Sequence, residues 1–188
     1  MKSSLYKIAL ILTLSITVVL SCTSDKEKPF LITKEGIGLL TPSTRISQLD
    51  TIFQKDSISE SAYEGELRYA STERYHIFTK EGNPLMEITP SQDSIKTISN
   101  IRIISDLYHT KAGISTKSTF GDITKNYTIS SIQNTWNSVI ISINELDVYF
   151  TIDKKMLDSK FKNNSSVDIT AEDIPSDTPI KYFMISWN

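Results

Sequence analysis

The side chain whose type and place point most directly to covalent chemistry is Cys22, the one cysteine in 188 residues. It follows Val19-Leu20-Ser21, with an aliphatic residue three places before it and a small one directly before it. This resembles a bacterial lipobox. The chemistry requires a thiol that takes a diacylglyceryl group as a thioether. Cleavage between Ser21 and Cys22 then frees an amine for a further acyl chain. Upstream, Lys2 and Lys7 form a short positive region, and residues 8–20 run apolar apart from Thr13, Ser15 and Thr17. Those 13 residues are too few to cross ~30 Å of hydrocarbon as a helix. They match the apolar core of a signal peptide. The expectation is a lipoprotein signal over residues 1–21 and lipidation at Cys22. Two or more acyl chains, each contributing ~0.8 kcal/mol per buried methylene, anchor a protein stably.

The other chemistry-bearing types are sparse. His76 and His109 are the only histidines, and joint metal ligation would need a third ligand such as Asp106. Their spacing is not that of a metal site, so each reads as a surface histidine, and no metal or other cofactor is expected. The chain has no phosphate-binding glycine loop, no Gly-x-Ser-x-Gly elbow and no His-Glu-x-x-His. Gly36-Ile37-Gly38 lacks the third glycine of a dinucleotide fingerprint and reads as a close backbone approach at a strand edge. The acidic pairs Glu145/Asp147 and Glu172/Asp173 fall in expected turns and read as solvated. No catalytic residue is assigned. Asp50-Thr51-Ile52, Asp56-Ser57-Ile58 and Asp93-Ser94-Ile95 resemble the Asp-Ser/Thr-aliphatic pattern glycosylated on some exported bacterial proteins.

The chain is 39% hydrophobic and 22% charged, with 6 Gly and 6 Pro, which excludes disorder and collagen-like structure. Loss of residues 1–21 removes Lys2 and Lys7 and no acid, so 18 basic and 22 acidic residues remain, a net charge of −4. That balance gives no electrostatic footprint for nucleic acid, which is not an expected partner. Residues 22–32 read as the lipidated cysteine and a polar tether, with Ser24, Asp25, Lys26, Glu27 and Lys28. Thr23 rather than Asp follows Cys22. By analogy with enterobacterial sorting, this implies the outer membrane, on its periplasmic face or at the cell surface.

Residues 33–188 read as one α+β domain, a mostly antiparallel sheet with two short helices on one side. Isoleucine and Ser/Thr are abundant and alanine is scarce, which favours pleated, half-buried surfaces. Strands are expected over 66–70, 75–78, 85–88, 95–104, 139–143, 148–152 and 180–187, and a long polar loop over 158–177. In the strand at 95–104, Ile95, Thr97, Ser99, Ile101 and Ile103 are expected on one face. A weak repeat relates halves 33–108 and 109–188. A slide of 74 residues places Ile46 on Phe120, Leu49 on Ile123 and Phe53 on Tyr127, each set being one face of a short helix. Ser47 is the expected N-cap of the first helix, and Thr119 or Gly121 of the second. Tyr69, Tyr75, Phe78, Trp136, Tyr149, Phe183 and Trp187 are expected as aromatic strand residues, most of them in the core.

Thr33-Lys34-Glu35-Gly36-Ile37-Gly38-Leu39-Leu40-Thr41-Pro42-Ser43-Thr44 resembles the opening of the small enterobacterial sigma-E-regulated envelope lipoproteins of unknown function. The stretch 98–120 is similar too, as are Tyr149-Phe150 and the closing segment from Pro175-Ser176-Asp177 to Ile185-Ser186-Trp187. The resemblance covers most of residues 33–188. It implies a lipid anchor, an α+β domain and no assigned activity, and it supplies no catalytic residue. The expectation is a lipid-anchored envelope protein, held to the membrane through Cys22, whose non-catalytic domain binds an envelope protein or a cell-wall or glycan component. The alternative is a periplasmic or surface enzyme or small-ligand carrier.

Overall fold

The computed structural model describes residues 28–61, 73–162 and 164–187. The signal segment, Ser21, Cys22, most of the tether and the strand expected over 66–70, with Tyr69, lie outside the described residues. The fold is α+β. Eight strands form one antiparallel sheet, and two short strands, β1 (Leu31–Ile32) and β6 (His109–Thr110), pair in parallel beside it.

The first half supplies a helical turn (Ile46–Gln48, continuing into α1, Leu49–Ile52), then β2 (Ser57–Ser61), β3 (Arg74–Phe78), β4 (Pro84–Pro90) and β5 (Ile98–Ile103). The second supplies α2 (Phe120–Asn126), then β7 (Ile129–Asn134), β8 (Ser138–Ile143), β9 (Val148–Asp153) and β10 (Tyr182–Ser186). The sheet order is β2-β3-β4-β5-β10-β9-β8-β7. Each half is thus a helix followed by a four-stranded meander. The two meanders join through their last strands, with Phe183 opposite Ile103 and Ile185 opposite Ile101.

One face of the sheet carries the core. Val139, Ile141 and Ile143 of β8 are buried and alternate with half-buried Ser138, Ile140 and Ser142, the period of a strand covered on one side. Leu49, Phe53, Phe120 and Ile123 cover that face from the helices. The rings of Phe150 and Phe183 meet at 4.7 Å beneath the junction. Gly36 and Gly38 fold the segment before α1 tightly. A Cβ on Gly36 would lie 2.1 Å from the Leu40 carbonyl oxygen, and Gly38 has φ 55°.

Several expectations are corrected. Thr119 caps α2 in a reciprocal box with Asp122, so Gly121 does not. Ser47 is not the cap of the first helix. Arg45 stands there, and its N–H is received by the Gln48 side chain at 2.9 Å. The strand expected over 95–104 begins at Ile98, and Ile95 is exposed. A bulge against Thr89/Pro90 shifts the pairing, so that Ile98 is buried with Ile101 and Ile103 although it differs from them in parity. The edge strands β2 and β7 were not expected over 57–61 and 129–134. Each is rich in polar residues on an exposed edge, where the apolar period is weak.

The segment expected as a polar loop over 158–177 is a lid on a second apolar cluster. Its 3-10 turns at Ser159–Phe161 and Ala171–Asp173 place Phe161, Ile169 and Ile174 against Val139, Ile141 and Ile152. Lys154 is buried beneath it. Its Nζ donates to the Thr135 carbonyl at 2.9 Å and the Asn164 carbonyl at 3.1 Å, tying the lid to the β7–β8 turn.

Candidate functional site

Among the described residues no helix covers the second face of the sheet, and its side chains are those that alternation turns away from the core. Strand register aligns one row across six strands, running His76, Glu87, Arg102, Met184, Tyr149 and Ser142. At the first-half end of this row Glu87 is 8% exposed, low for a carboxylate. It is held by charge. Arg74 Nη1 donates to Oε1 at 2.8 Å, Arg102 Nη1 lies 3.7 Å from Oε2, and His76 Nδ1 lies 3.9 Å from the same oxygen. Arg102 also lies 4.4 Å from the centre of the Tyr182 ring, a cation–π distance.

Two polar atoms near this row, Arg74 Nε and Thr151 Oγ1, are buried without a hydrogen-bond partner among the described residues. Buried polar atoms are nearly always paired, so each is a place where a bound group or water has a partner waiting. Two guanidiniums against one carboxylate leave a net positive charge. Tyr182, Tyr149 and Met184 beside them offer flat and polarizable surface. Burial holds the Tyr149 hydroxyl above the usual tyrosine range, so it stays protonated and can donate. Chemically, the face can receive an anionic or hydroxyl-rich group against its arginines and a ring or sugar face against its tyrosines.

His76 does not lie alone on the surface. Its Nε2 is 2.9 Å from Ser61 Oγ, and with Glu87 beyond Nδ1 the order is Ser-His-carboxylate. The 3.9 Å separation exceeds hydrogen-bonding distance, and the Glu87 carboxylate is already engaged by Arg74. His109 lies in β6, its Nδ1 3.1 Å from the Thr110 carbonyl, and Asp106 pairs with Lys117. Among the described residues no group of three His, Cys, Asp or Glu side chains is placed to hold a metal ion.

Glu145 and Asp173 do more than face solvent. Glu145 receives the Thr128 N–H at 3.0 Å, and Asp173 receives the Thr170 N–H at 3.0 Å. Trp136 is exposed in the β7–β8 turn rather than in a strand. Thr51, Ser57 and Ser94 of the three Asp-Ser/Thr motifs are all exposed.

The sequence reading did not single out Arg74, Glu87 and Arg102. Each sits at an outward position of an alternating strand, which was a legible signal. Their convergence depends on the register between three successive strands, which no single strand specifies.

No family model matches the chain, and no curated protein matches it. Among solved structures it is similar to the crystal structure of the uncharacterised protein YfeY from Escherichia coli. The TM-score is 0.55 at 13% identity, over 82% of this chain and 98% of that one. This likeness is one of fold. Among the described residues no helix is long and apolar enough to cross a membrane.

Proposed function

We propose that this chain is a lipid-anchored protein of the bacterial cell envelope, of the sigma-E-regulated lipoprotein type. Its sheet binds an envelope protein or a cell-wall glycan without catalysis. One observation carries the binding part of the reading. The uncovered face gathers Arg74, Glu87, Arg102 and Tyr182 at contact distances and leaves Arg74 Nε and Thr151 Oγ1 unpartnered. The anchor rests on Cys22 and the residues before it.

Two experiments test these parts separately. Palmitate labelling beside Cys22→Ala, with membrane fractionation, tests the anchor; an unlabelled wild type ends it. A photo-crosslinker at position 184 in intact cells tests the face. The reading expects a discrete adduct, to protein or to isolated cell-wall glycan, that is lost in Arg102→Glu. Recovery of the protein alone counts against it.

The Ser61–His76 contact favours a second reading, a serine hydrolase of the envelope. A fluorophosphonate probe decides it. Labelling that disappears in both Ser61→Ala and His76→Ala supports the hydrolase, and no labelling removes it.

A further inference from the structure

In an antiparallel sheet the turns fall at two ends, and here the ends differ. At one end lie the β3–β4 turn, the exit of β5, the entry of β10, the exit of β9 and the β7–β8 turn. Six large apolar side chains are exposed among the described residues: Leu39, Ile95, Leu107, Trp136, Met156 and Tyr182. Five belong to this end, and Ile95 alone is at the other. Leu39 and Leu107 rim an apolar cleft of about 160 Å³ with Phe30 and Tyr108 in its wall. Trp136 is 66% and Met156 53% exposed. From β4 to β8 is four strand spacings, about 20 Å, so these residues spread along one edge rather than forming one patch.

A recess at the same end is basic, while the acids of this end include Asp56 in the wall of the cleft and Asp106, which pairs with Lys117. Lys154, Lys155, Lys162 and Lys181 line the recess, of about 390 Å³, with Asn137 and a single acid, Asp153, which Lys181 holds at 3.0 Å. The chain also enters here, because Pro29 and Phe30 line the cleft with Leu107. Cys22 is six residues before Lys28, a span that reaches at most ~20 Å. An acylated Cys22 therefore keeps this end within about 20 Å of the bilayer. Exposed leucine, methionine and tryptophan among lysines is the pattern of a surface that seats in a membrane interface.

We propose that this end of the sheet is a docking surface for an anionic bilayer. Leu39, Leu107, Trp136 and Met156 enter the interface, and Lys155, Lys162 and Lys181 meet headgroup phosphates. The proposal rests on the anchored reading and adds an orientation to it. The domain stands on this end, with its strands steep to the membrane and the Arg74–Tyr182 face turned sideways to the envelope space.

The two tryptophans report on it. Trp136 is at the docking end, and Trp187 follows β10 at the other. The full chain, purified from the producing cells, is placed on phosphatidylethanolamine vesicles with or without phosphatidylglycerol, carrying brominated acyl chains. Trp187→Phe leaves Trp136 as reporter, and Trp136→Phe leaves Trp187. Docking is expected to quench Trp136 several-fold more than Trp187, and more with phosphatidylglycerol present. Lys155→Gln and Lys162→Gln, both at exposed positions, are each expected to lower the docked-to-undocked ratio about five-fold. Lys125→Gln, on α2, is expected to leave it unchanged.

Protein that stays on vesicles while Trp136 is quenched no more than Trp187 overturns docking and leaves the anchor standing. If intact mass shows no acylation, the anchor reading fails. Trp136 quenching by added vesicles then still decides docking, its presence supporting and its absence overturning the surface.

Discussion

The two halves of the sheet follow the same order of elements, yet their outward faces differ. In the first half the outward positions of β3, β4 and β5 are Arg74, His76, Glu87 and Arg102, and they converge on one carboxylate. In the second half the same face carries Ile140, Ser142, Tyr149 and Thr151, which are uncharged, and Asp153 at the end of β9, paired with Lys181. The supports differ in the opposite sense. The first helix is a 3-10 turn running into four α residues, and no Ser, Thr, Asp or Asn side chain caps it. The second has seven residues, the Thr119–Asp122 box, and a private apolar cluster under the 3-10 lid. Topology sets where side chains can point. It does not set which chemistry is placed there, so one arrangement of strands carries a charged cluster at the middle of the face in one half and a largely neutral platform in the other.

The largest test removes what the halves share. Phe183 is fully buried in β10, which pairs with β5 across the junction. Phe183→Ala is expected to cost about 3–5 kcal/mol and to lower the denaturation midpoint of the whole sheet in one transition. Two separate transitions would show that the halves fold independently.

Glu87→Gln tests whether the charged face matters to the first half alone. It weakens the hold on Arg74 and Arg102. Both arginines are well exposed, which reduces the expected loss to roughly 1–2 kcal/mol by urea denaturation. Arg102→Gln should cost less than Glu87→Gln, because Arg74 still satisfies the carboxylate.

The helix supports give a smaller contrast. Thr119→Ala is expected to destabilise by about 1 kcal/mol, whereas Ser47→Ala should change stability by less than about 0.5 kcal/mol. Equal losses would mean that the first helix is capped as the second is.

Acid titration sharpens the same contrast with the smallest effect. The Thr119 N–H and hydroxyl hold the Asp122 carboxyl below its ordinary range, and the Thr170 N–H and hydroxyl do the same for Asp173. A folded pKa below the unfolded one gives stability that is full above the unfolded value, about 3.9, and is lost as the pH falls through the folded value. The difference between wild type and Asp122→Ala, measured in urea at successive pH values, should therefore be largest near neutrality and shrink below about pH 4.

Much of this architecture was legible in the residues. The strands at 75–78, 85–88, 139–143 and 148–152 announce themselves by short runs of aliphatic, β-branched and aromatic side chains, and the turn at Glu81-Gly82-Asn83-Pro84 by its residue types. The six apolar helix positions paired by the 74-residue slide all pack on the core in the structure. The edge strands were not legible, since an edge exposed to water needs few apolar residues. The lid over 158–177 was not legible either. Its buried Phe161, Ile169 and Ile174 follow no helix or strand period and are brought together by turns capped by Asp158 and by the Thr170–Asp173 box.

The lone thiol, the apolar run before it, the α+β character and the inward face of the sheet follow from residue type and local period, which are properties of neighbours along the chain. The union of Arg74, Glu87 and Arg102 and the gathering of Leu39, Leu107, Trp136 and Met156 at one end were decided by folding alone. Those groups come from different strands and turns, and their meeting depends on strand register and the bulge in β5, which no local pattern encodes.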